Sequence, residues 1–198
     1  LPPPEFGALF THAESGSRYA GLAEFHISKV QMIGNVGTYL DSPFHRYPEG
    51  ADLSQIPLER VAGLLGVVLD GVVSSTRAAT VNCREEDWRD CAVLVRTGWD
   101  KRWGMDRYWE PGPFLSDACV DLLIHAKPSL VGVDFWNVDD TANLARPAHT
   151  RLLAAGILIV EHLCNLHLLP PSGFRFSAVP LRIVRGASFP VRAFAEMD

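Results

Sequence analysis

The chain has 198 residues, of which 47% are hydrophobic and 21% charged, the balance of an ordinary soluble globular protein with one domain. The net charge is -5 and Lys and Arg form no run, which argues against nucleic acid or an anionic membrane as the main partner. The apolar runs are shorter than a membrane span, and the four cysteines form no CxxC pair. We therefore expect reduced thiols and a cytoplasmic location.

The first part of the chain is punctuated by turn-forming residues. Residues 1–23, rich in Pro, Gly and Ala, predict an irregular lead-in, and residues 24–198 predict a single domain. The start LPPPEFG has no methionine, which suits a trimmed terminus that lacks a first strand. Near-alternate β-branched and aromatic residues predict a strand over Glu24–Ile33. Gly34–Gly50, with its glycines and prolines, predicts a loop.

Farther along, short apolar runs alternate with segments of helical spacing. A helix is predicted over Leu115–Ala126 with Ser116 as its N-cap. Pro147 sits where a second helix can begin, and a short helix is predicted over His149–Ala155, stopped by Gly156. Strands and helices interleave, which predicts an α/β fold whose strand ends carry the chemistry. The predicted strands are Leu64–Asp70, Cys91–Trp99, Leu130–Asp134, Ile157–Glu161, Phe176–Val184 and Pro190–Phe194.

The loop over Gly34–Gly50 contains one acid and one histidine at a spacing that suits a site. If the chain is extended at Tyr39–Leu40–Asp41, Tyr39 and Asp41 leave the same face, and Pro43 can turn His45 back toward them. This arrangement fits a hydrolytic site, but Asp-Ser-Pro is also a common turn, so the residues alone leave both interpretations open.

The segment NVGTYLDSPFH, from Asn35, resembles the signature H-x-G-T-H-x-D-x-P-x-H of the cyclase family, which includes bacterial kynurenine formamidases and isatin hydrolases. Five of its seven specified positions match, and Asn35 and Tyr39 replace the first two histidines. Other stretches resemble further family motifs in the right order, so the match covers most of residues 35–195 and the chain is identified as a member of the family. These stretches are VLVRTGWDKRW from Val93, LVGVDFWNVD from Leu130, AHTRLLAAGILIVEHLCNL from Ala148 and VPLRIVRGASFPVRAFA from Val179.

The resemblance implies a fold, a metal and roles for particular residues. The fold would be a single domain with a mixed β-sheet core and flanking helices, of the swivelling β/β/α type. By position, Asp41, His149 and Glu161 would bind a divalent metal, zinc or manganese, and His45 would perform acid–base chemistry. Family members often assemble as homodimers or larger homo-oligomers.

The two replaced histidines change what the resemblance implies about the metal. An amide oxygen such as that of Asn35 is a weak zinc ligand, and a phenol such as Tyr39 has a pKa of about 10 and binds well only when ionised. We therefore expect one metal at Asp41, His149 and Glu161, or none. Tyr39 would then be catalytic and donate a hydrogen bond to a developing oxyanion.

The function follows in three alternatives. The first is a hydrolase that opens a C–N bond in an amide, formamide or lactam of a small aromatic or cyclic substrate. The second is a metal-free cyclase, dehydratase or isomerase that uses Tyr39 and His45, and the third is a non-catalytic binder of a small molecule. Residues predicted to contact the substrate are Asn35, Phe44, Trp99, Trp103 and Trp136, although tryptophans are more often core residues.

Overall fold

A computed structural model describes residues 2–81 and 88–197. The described helices are α1 (His12–Arg18), α2 (Asp117–Ala126) and α3 (Pro147–Ala154). The described strands are β1 (Glu5–Phe10), β2 (Ile27–Gln31), β3 (Tyr39–Asp41), β4 (Leu64–Val73), β5 (Ala78–Val81), β6 (Ala92–Arg96), β7 (Phe114–Leu115), β8 (Leu130–Val133), β9 (Leu158–Glu161), β10 (Phe174–Ser177), β11 (Ser188–Pro190) and β12 (Phe194–Met197). None of the described helices is long and apolar enough to cross a bilayer.

A mixed sheet forms the centre of the protein, in the order β11-β3-β9-β8-β6-β4-β10-β12. The four strands β9, β8, β6 and β4 are parallel, and antiparallel strands extend the sheet on both sides. β5 pairs with the end of β4, and the short β7 pairs with β5. The predicted α/β fold with a mixed sheet is therefore confirmed.

Both faces of β6, β8 and β9 are buried, apart from the partly exposed end of β6, which explains their continuous apolar sequences. On one face, α2 and α3 pack on side chains such as Val131 and Ile159. On the other face, Leu94 and Val160 pack against loops and against Phe176 of β10. The sheet therefore holds the ends of β8 and β9 rigidly, and these ends carry polar residues.

The N-terminal segment is more ordered than the sequence suggests. The prediction that residues 1–23 are irregular is wrong, because β1 and α1 form there. Thr11 and Glu14 cap α1 reciprocally, since each side chain accepts a hydrogen bond from the other's backbone N–H. β1 pairs with β2, so this two-stranded sheet contains residues on both sides of the predicted boundary at residue 24.

The C-terminal strands differ from the predicted ones. β10 ends at Ser177, and the predicted strand over Phe176–Val184 does not continue, because Pro180 lacks the N–H that a ladder needs and Arg185 has a φ of 59°. The predicted strand over Pro190–Phe194 is replaced by β11 and β12, which flank that segment. The predicted helices are confirmed, including the Ser116 cap, whose side chain accepts from the Cys119 N–H at 3.2 Å.

Candidate active site

Three neighbouring strands bring the polar residues of the signature together. β3 lies between β9 and β11, with Tyr39 directly opposite Glu161 and Asp41 opposite Ser188. Tyr39 and Asp41 leave the same face of β3, and the Tyr39 hydroxyl donates a hydrogen bond to Glu161 Oε2. The Ser188 hydroxyl donates to Asp41 Oδ1. Gly34 permits this approach, because a Cβ there would lie 2.2 Å from the Ser188 carbonyl oxygen.

The first turn of α3 adds His149 to these carboxylates. The Asp139 carboxylate holds this turn, accepting from the Ala148 N–H at 2.6 Å and from His149 Nδ1 at 2.6 Å. Because Nδ1 donates its hydrogen to Asp139, the lone pair of the neutral ring lies on Nε2. His149 Nε2 lies 3.7 Å from Asp41 Oδ2 and 3.7 Å from Glu161 Oε1. The structure therefore brings the three predicted metal ligands into one cluster.

The two acids of this cluster are fully buried, and their oxygens are unequally satisfied. Glu161 Oε1 accepts from the Val138 N–H at 2.6 Å, and its other oxygen accepts from Tyr39. Asp41 Oδ1 has the Ser188 hydroxyl, whereas Asp41 Oδ2 has no hydrogen-bond partner among the described residues. A buried carboxylate oxygen without a partner is costly unless a proton or cation reaches it.

Burial and mutual repulsion perturb the titration of the cluster. Burial, opposed by His149 and reinforced by Asp41, raises the pKa of Glu161 to about 7. Burial alone would lower the pKa of His149, but its hydrogen bond to Asp139 and the surrounding negative charge raise that pKa to about 10. Burial, together with the neighbouring acids, also raises the pKa of the Tyr39 hydroxyl far above its ordinary value. The cluster thus concentrates negative charge that a cation can balance.

His45 lies beside the cluster and is partly open to solvent, with 34% of its side chain exposed. Its Nδ1 is 3.1 Å from Ser188 Oγ and 3.7 Å from Asp41 Oδ1. The Ser188 hydroxyl has a single proton, which it donates to Asp41, so His45 Nδ1 carries a hydrogen and donates to Ser188 Oγ. In the neutral ring this leaves Nε2 as the atom that accepts a proton.

A divalent metal fits the donors of this cluster. The neutral ring of His149 would present its Nε2 lone pair once a metal displaced the proton, and Asp41 Oδ2 has no hydrogen-bond partner among the described residues. Two ligands of a tetrahedral zinc lie about 3.4 Å apart, close to the 3.7 Å that separates His149 Nε2 from each acid. Asp41, His45 and His149 also offer ligand atoms within 4.8 Å of one another. The assignment of Asp41, His149 and Glu161 as ligands stays a prediction that this geometry suits.

A pocket of about 290 Å³ opens at the cluster and is small enough to select small molecules. Two of its lining residues, Asn35 and Tyr39, occupy the positions where the family signature has histidine. The Asn35 amide is 3.4 Å from Asp41 Oδ1, so it contacts the acid more weakly than Ser188 does. The lining residues are Asn35, Tyr39, His45, Arg46, Asn137, Arg146 and His149.

The predicted aromatic substrate contacts Phe44, Trp99 and Trp136 are not among the residues that line this pocket. The indole N–H groups of Trp99 and Trp136 donate to the carbonyls of Tyr108 and Glu110, each at 3.1 Å. The Phe44 ring instead faces an arginine guanidinium 5.7 Å from its centroid. These rings are fixed by other contacts, and their role in substrate binding stays a prediction without support from the pocket lining.

Trp103 belongs to an aromatic cluster centred on His162. The His162 ring lies 5.5 Å from the Tyr39 ring, and its Nδ1 is 2.8 Å from the Tyr108 hydroxyl. The rings of Trp103 and Trp109 lie 5.8 and 5.9 Å from it, and both indoles are more than half exposed. Burial lowers the pKa of His162 to about 4, so the ring is neutral at neutral pH and packs behind Tyr39 as an aromatic residue.

Several residues of the site are absent from the sequence-based predictions. Asp139 orients His149, and Ser188 links Asp41 to His45. Both lie in stretches that resemble family motifs, Asp139 in LVGVDFWNVD and Ser188 in the closing SFP segment. These motif positions are the sequence feature from which their role at the site could have been predicted. Arg46 and Arg146 also line the pocket, but they lie in loops where no periodicity indicates the direction of a side chain.

Comparison with known proteins places the chain among related sequences. The family described as Putative cyclase matches residues 4–140. A protein named kynurenine formamidase from Salinibacter ruber is 30% identical over 172 residues, which are 85% of this chain and 78% of that protein. An uncharacterized protein of Methanocaldococcus jannaschii is 35% identical over 175 residues, which are 86% of this chain and 83% of that protein.

The fold also matches solved structures. Isatin hydrolase A from Labrenzia aggregata, bound to benzyl benzoate, superimposes with a TM-score of 0.77 at 24% identity, over 100% of this chain and 87% of that chain. At this level of identity the likeness shows the fold. It confirms that the mixed sheet and its flanking helices form an architecture already known in other proteins.

Proposed function

Because the chain belongs to the cyclase family, we propose that it is a hydrolase that cleaves a C–N bond with the help of one divalent metal. The substrate would be an amide, formamide or lactam of a small aromatic or cyclic molecule. Relatives named kynurenine formamidase support this reaction class, since a formamidase hydrolyses a C–N bond. The observation that carries the proposal is the buried Asp41 Oδ2, which lacks a partner among the described residues and faces His149 Nε2 at 3.7 Å.

Asp41, His149 and Glu161 would hold the metal through one nitrogen and carboxylate oxygens. This donor set suits zinc or manganese and resembles the three-ligand sites that keep one position open for substrate or water. Bound there, a divalent metal lowers the pKa of its water toward about 7 and polarises a carbonyl. Asp139 would keep His149 in the tautomer that presents Nε2 to the metal.

The remaining chemistry belongs to side chains of the chain itself. His45 accepts a proton at Nε2 and returns it to the departing nitrogen, while Ser188 and Asp41 fix the ring through Nδ1. Tyr39 stays protonated because burial and its acidic neighbours raise its pKa, so it acts only as a hydrogen-bond donor. The pocket is small and its floor is buried, which limits the water that surrounds the reacting carbonyl.

The proposal is tested by stripping the purified protein with a chelator and adding back zinc or manganese. We expect hydrolysis of N-formylkynurenine to disappear and return with one metal per chain. The Asp41→Asn variant should bind metal more than about tenfold more weakly, because an amide oxygen is a poorer ligand than a carboxylate. Asp117→Asn, at a side chain that is 82% exposed, is the matched control and should behave as the wild type. Undiminished turnover without metal would overturn the proposal.

A second candidate, a metal-free cyclase, dehydratase or isomerase, is favoured by one contact. The Tyr39 hydroxyl donates a hydrogen bond to Glu161 Oε2, which places a phenol and a carboxylate in contact at the site that also contains His45. Chelator-resistant turnover that requires both Tyr39 and His45 would support this function. Tight binding of a small molecule with no turnover under any metal condition would support the third alternative, a non-catalytic binder.

A further inference from the structure

Two arginines that line the pocket, Arg46 and Arg146, form no ion pair within 4.0 Å among the described residues, although the charge of Arg146 helps to lower the pKa of Asp140. Arg46 donates from Nε to Thr150 Oγ1 at 3.0 Å, and Arg146 donates from one terminal nitrogen to Asn137 Oδ1 at 3.2 Å. Other arginines of the chain, such as Arg96, pair with acids, whereas neither of these two forms an ion pair within the part of the chain that the structure describes. Each guanidinium therefore keeps N–H groups available to an anion.

The position of Arg146 is held by the local fold. Its backbone is left-handed, with φ 49° and ψ 59°, a conformation that is unfavourable for a side chain with a Cβ. The residue directly precedes α3, and its contact with Asn137 ties the guanidinium to the loop that follows β8. A strained residue fixed at the edge of a candidate site points to a functional constraint.

The charges of the pocket are separated by depth. Asp41 and Glu161 are fully buried and are not among the lining residues, whereas Arg46 and Arg146 line the pocket and are exposed and partly exposed, respectively. An anionic group of a ligand would be repelled by the two acids and attracted by the guanidinium groups nearer to solvent. The guanidinium fork matches a planar carboxylate, with which it forms paired charge-assisted hydrogen bonds.

We propose that Arg46 and Arg146 form a subsite for a carboxylate carried by the substrate away from the bond that is cleaved. This inference rests on the proposed function and narrows its substrates to carboxylate-bearing amides. The subsite fixes orientation as well as affinity, because the anionic end stays at the rim while the reacting carbonyl faces His45 and the buried acids. The two arginines are thus specificity-determining residues that take no part in proton transfer.

A matched pair of substrates tests the subsite by kinetics. N-formylanthranilate and N-formylanthranilamide have nearly the same shape, but only the first carries a carboxylate. We expect Arg146→Gln to raise KM for the acid about tenfold or more, because a charge-assisted hydrogen bond is lost. The value of kcat should change little. KM for the amide should stay within about twofold. Arg146→Lys should restore part of the affinity, because it keeps the charge but not the fork.

The control variant is Arg192→Gln, at an exposed arginine outside this pocket, which should leave both substrates unaffected. Arg46→Gln should have the same direction of effect as Arg146→Gln. If Arg146→Gln affected the acid and the amide equally, the proposed carboxylate subsite would be refuted, whereas the proposed hydrolase function would stand.

Binding provides a readout that does not depend on turnover. In calorimetric titrations of the purified protein, anthranilate should bind more tightly than neutral anthranilamide, and its affinity should fall in Arg146→Gln and with rising salt. This result would support the subsite even if no formamide is hydrolysed, an outcome that would count against the proposed function alone. Anthranilate binding that is the same in the wild type and in Arg146→Gln would refute the subsite.

Discussion

Tyr39 shows how one substitution in a signature changes the chemistry of a site. Its hydroxyl donates to Glu161 Oε2 and lies in a buried, acidic environment that raises its pKa. A phenol that stays protonated is a poor metal ligand. Tyr39 therefore occupies a histidine position of the signature without taking over the metal-binding function of the imidazole. What it supplies is a directed hydrogen bond that restrains one oxygen of a proposed metal ligand.

The Tyr39→Phe variant separates the two enzymatic candidates. For the metal-dependent hydrolase we expect unchanged metal stoichiometry and a fall in kcat of no more than about tenfold, because a single supporting hydrogen bond is lost. Metal content by elemental analysis and kcat under metal saturation are the measurements. Complete loss of turnover with full metal occupancy would instead favour proton transfer by Tyr39.

A matched control for this variant is Tyr19→Phe, at a phenol that is 49% exposed in the N-terminal segment. It removes the same hydroxyl group at a residue outside the signature and outside the pocket lining. We expect its kcat and metal content to equal those of the wild type, so that any change in Tyr39→Phe is assigned to the site.

Site residues that occupy motif positions could be predicted from the sequence, whereas residues placed by the folding of a loop could not. Asp41, His149 and Glu161 were identified by resemblance, and β3, α3 and β9 bring them together. Asp139 is absent from the predicted site residues, because its hydrogen bond with the His149 ring depends on how the loop after β8 folds. Such contacts leave no periodic trace in the sequence, and the direction of a loop side chain is set by tertiary packing.

At the scale of elements, Asp134 joins two parallel strands at the edge that carries the site. It follows β8 directly, is fully buried, and accepts hydrogen bonds from the Thr97 and Gly98 N–H groups that follow β6. The Thr97 hydroxyl donates to it as well, at 2.6 Å. This carboxylate fixes the turn after β6 relative to the loop that supplies Asp139.

Asp134→Asn tests this connection. The amide keeps one acceptor oxygen but presents N–H groups to donors, so we expect a loss of about 1–3 kcal/mol in the free energy of unfolding. Urea unfolding followed by fluorescence measures it, with Asp117→Asn again as the exposed control. A variant as stable as the wild type would show that the turn is held by its other contacts.

The elements themselves were predictable to the extent that local pattern determines them. α2 begins after its N-cap Ser116, as the sequence indicated. α3 ends before Gly156, whose backbone is left-handed and which the sequence indicated as the stop residue. The buried strands were found because their apolar runs are continuous. The N-terminal strand and helix were missed because residues 5–18 are mostly exposed and show no apolar periodicity.

At the scale of the whole molecule, the N-terminal arm, residues 5–31, has little apolar burial of its own. Both strands of its sheet are exposed on both faces, with Phe6 79% exposed and Val30, its cross-strand neighbour, 49% exposed. An isolated two-stranded sheet is marginally stable in water. The exposed apolar side chains of this arm are therefore the surface at which we test the predicted self-association of the chain.

We expect the wild type to be a dimer or larger in light scattering coupled to size-exclusion chromatography. The double variant Phe6→Ser and Val30→Ser should shift it toward the monomer, because the apolar area available for association is reduced. Val72→Ser, at a side chain of β4 that is 62% exposed, is the control. A wild type that is monomeric at all concentrations would contradict the prediction.

The bond between Ser188 and Asp41 joins residues 147 positions apart. Of the two strands that flank β3, β11 is synthesised after β9, so the site can be completed only after residue 188 has left the ribosome. Early folding intermediates can contain the parallel strands before Asp41 has formed its hydrogen bond with Ser188. A chain that ended before residue 188 would lack this serine and leave Asp41 Oδ1 without the hydrogen bond that ties it to β11.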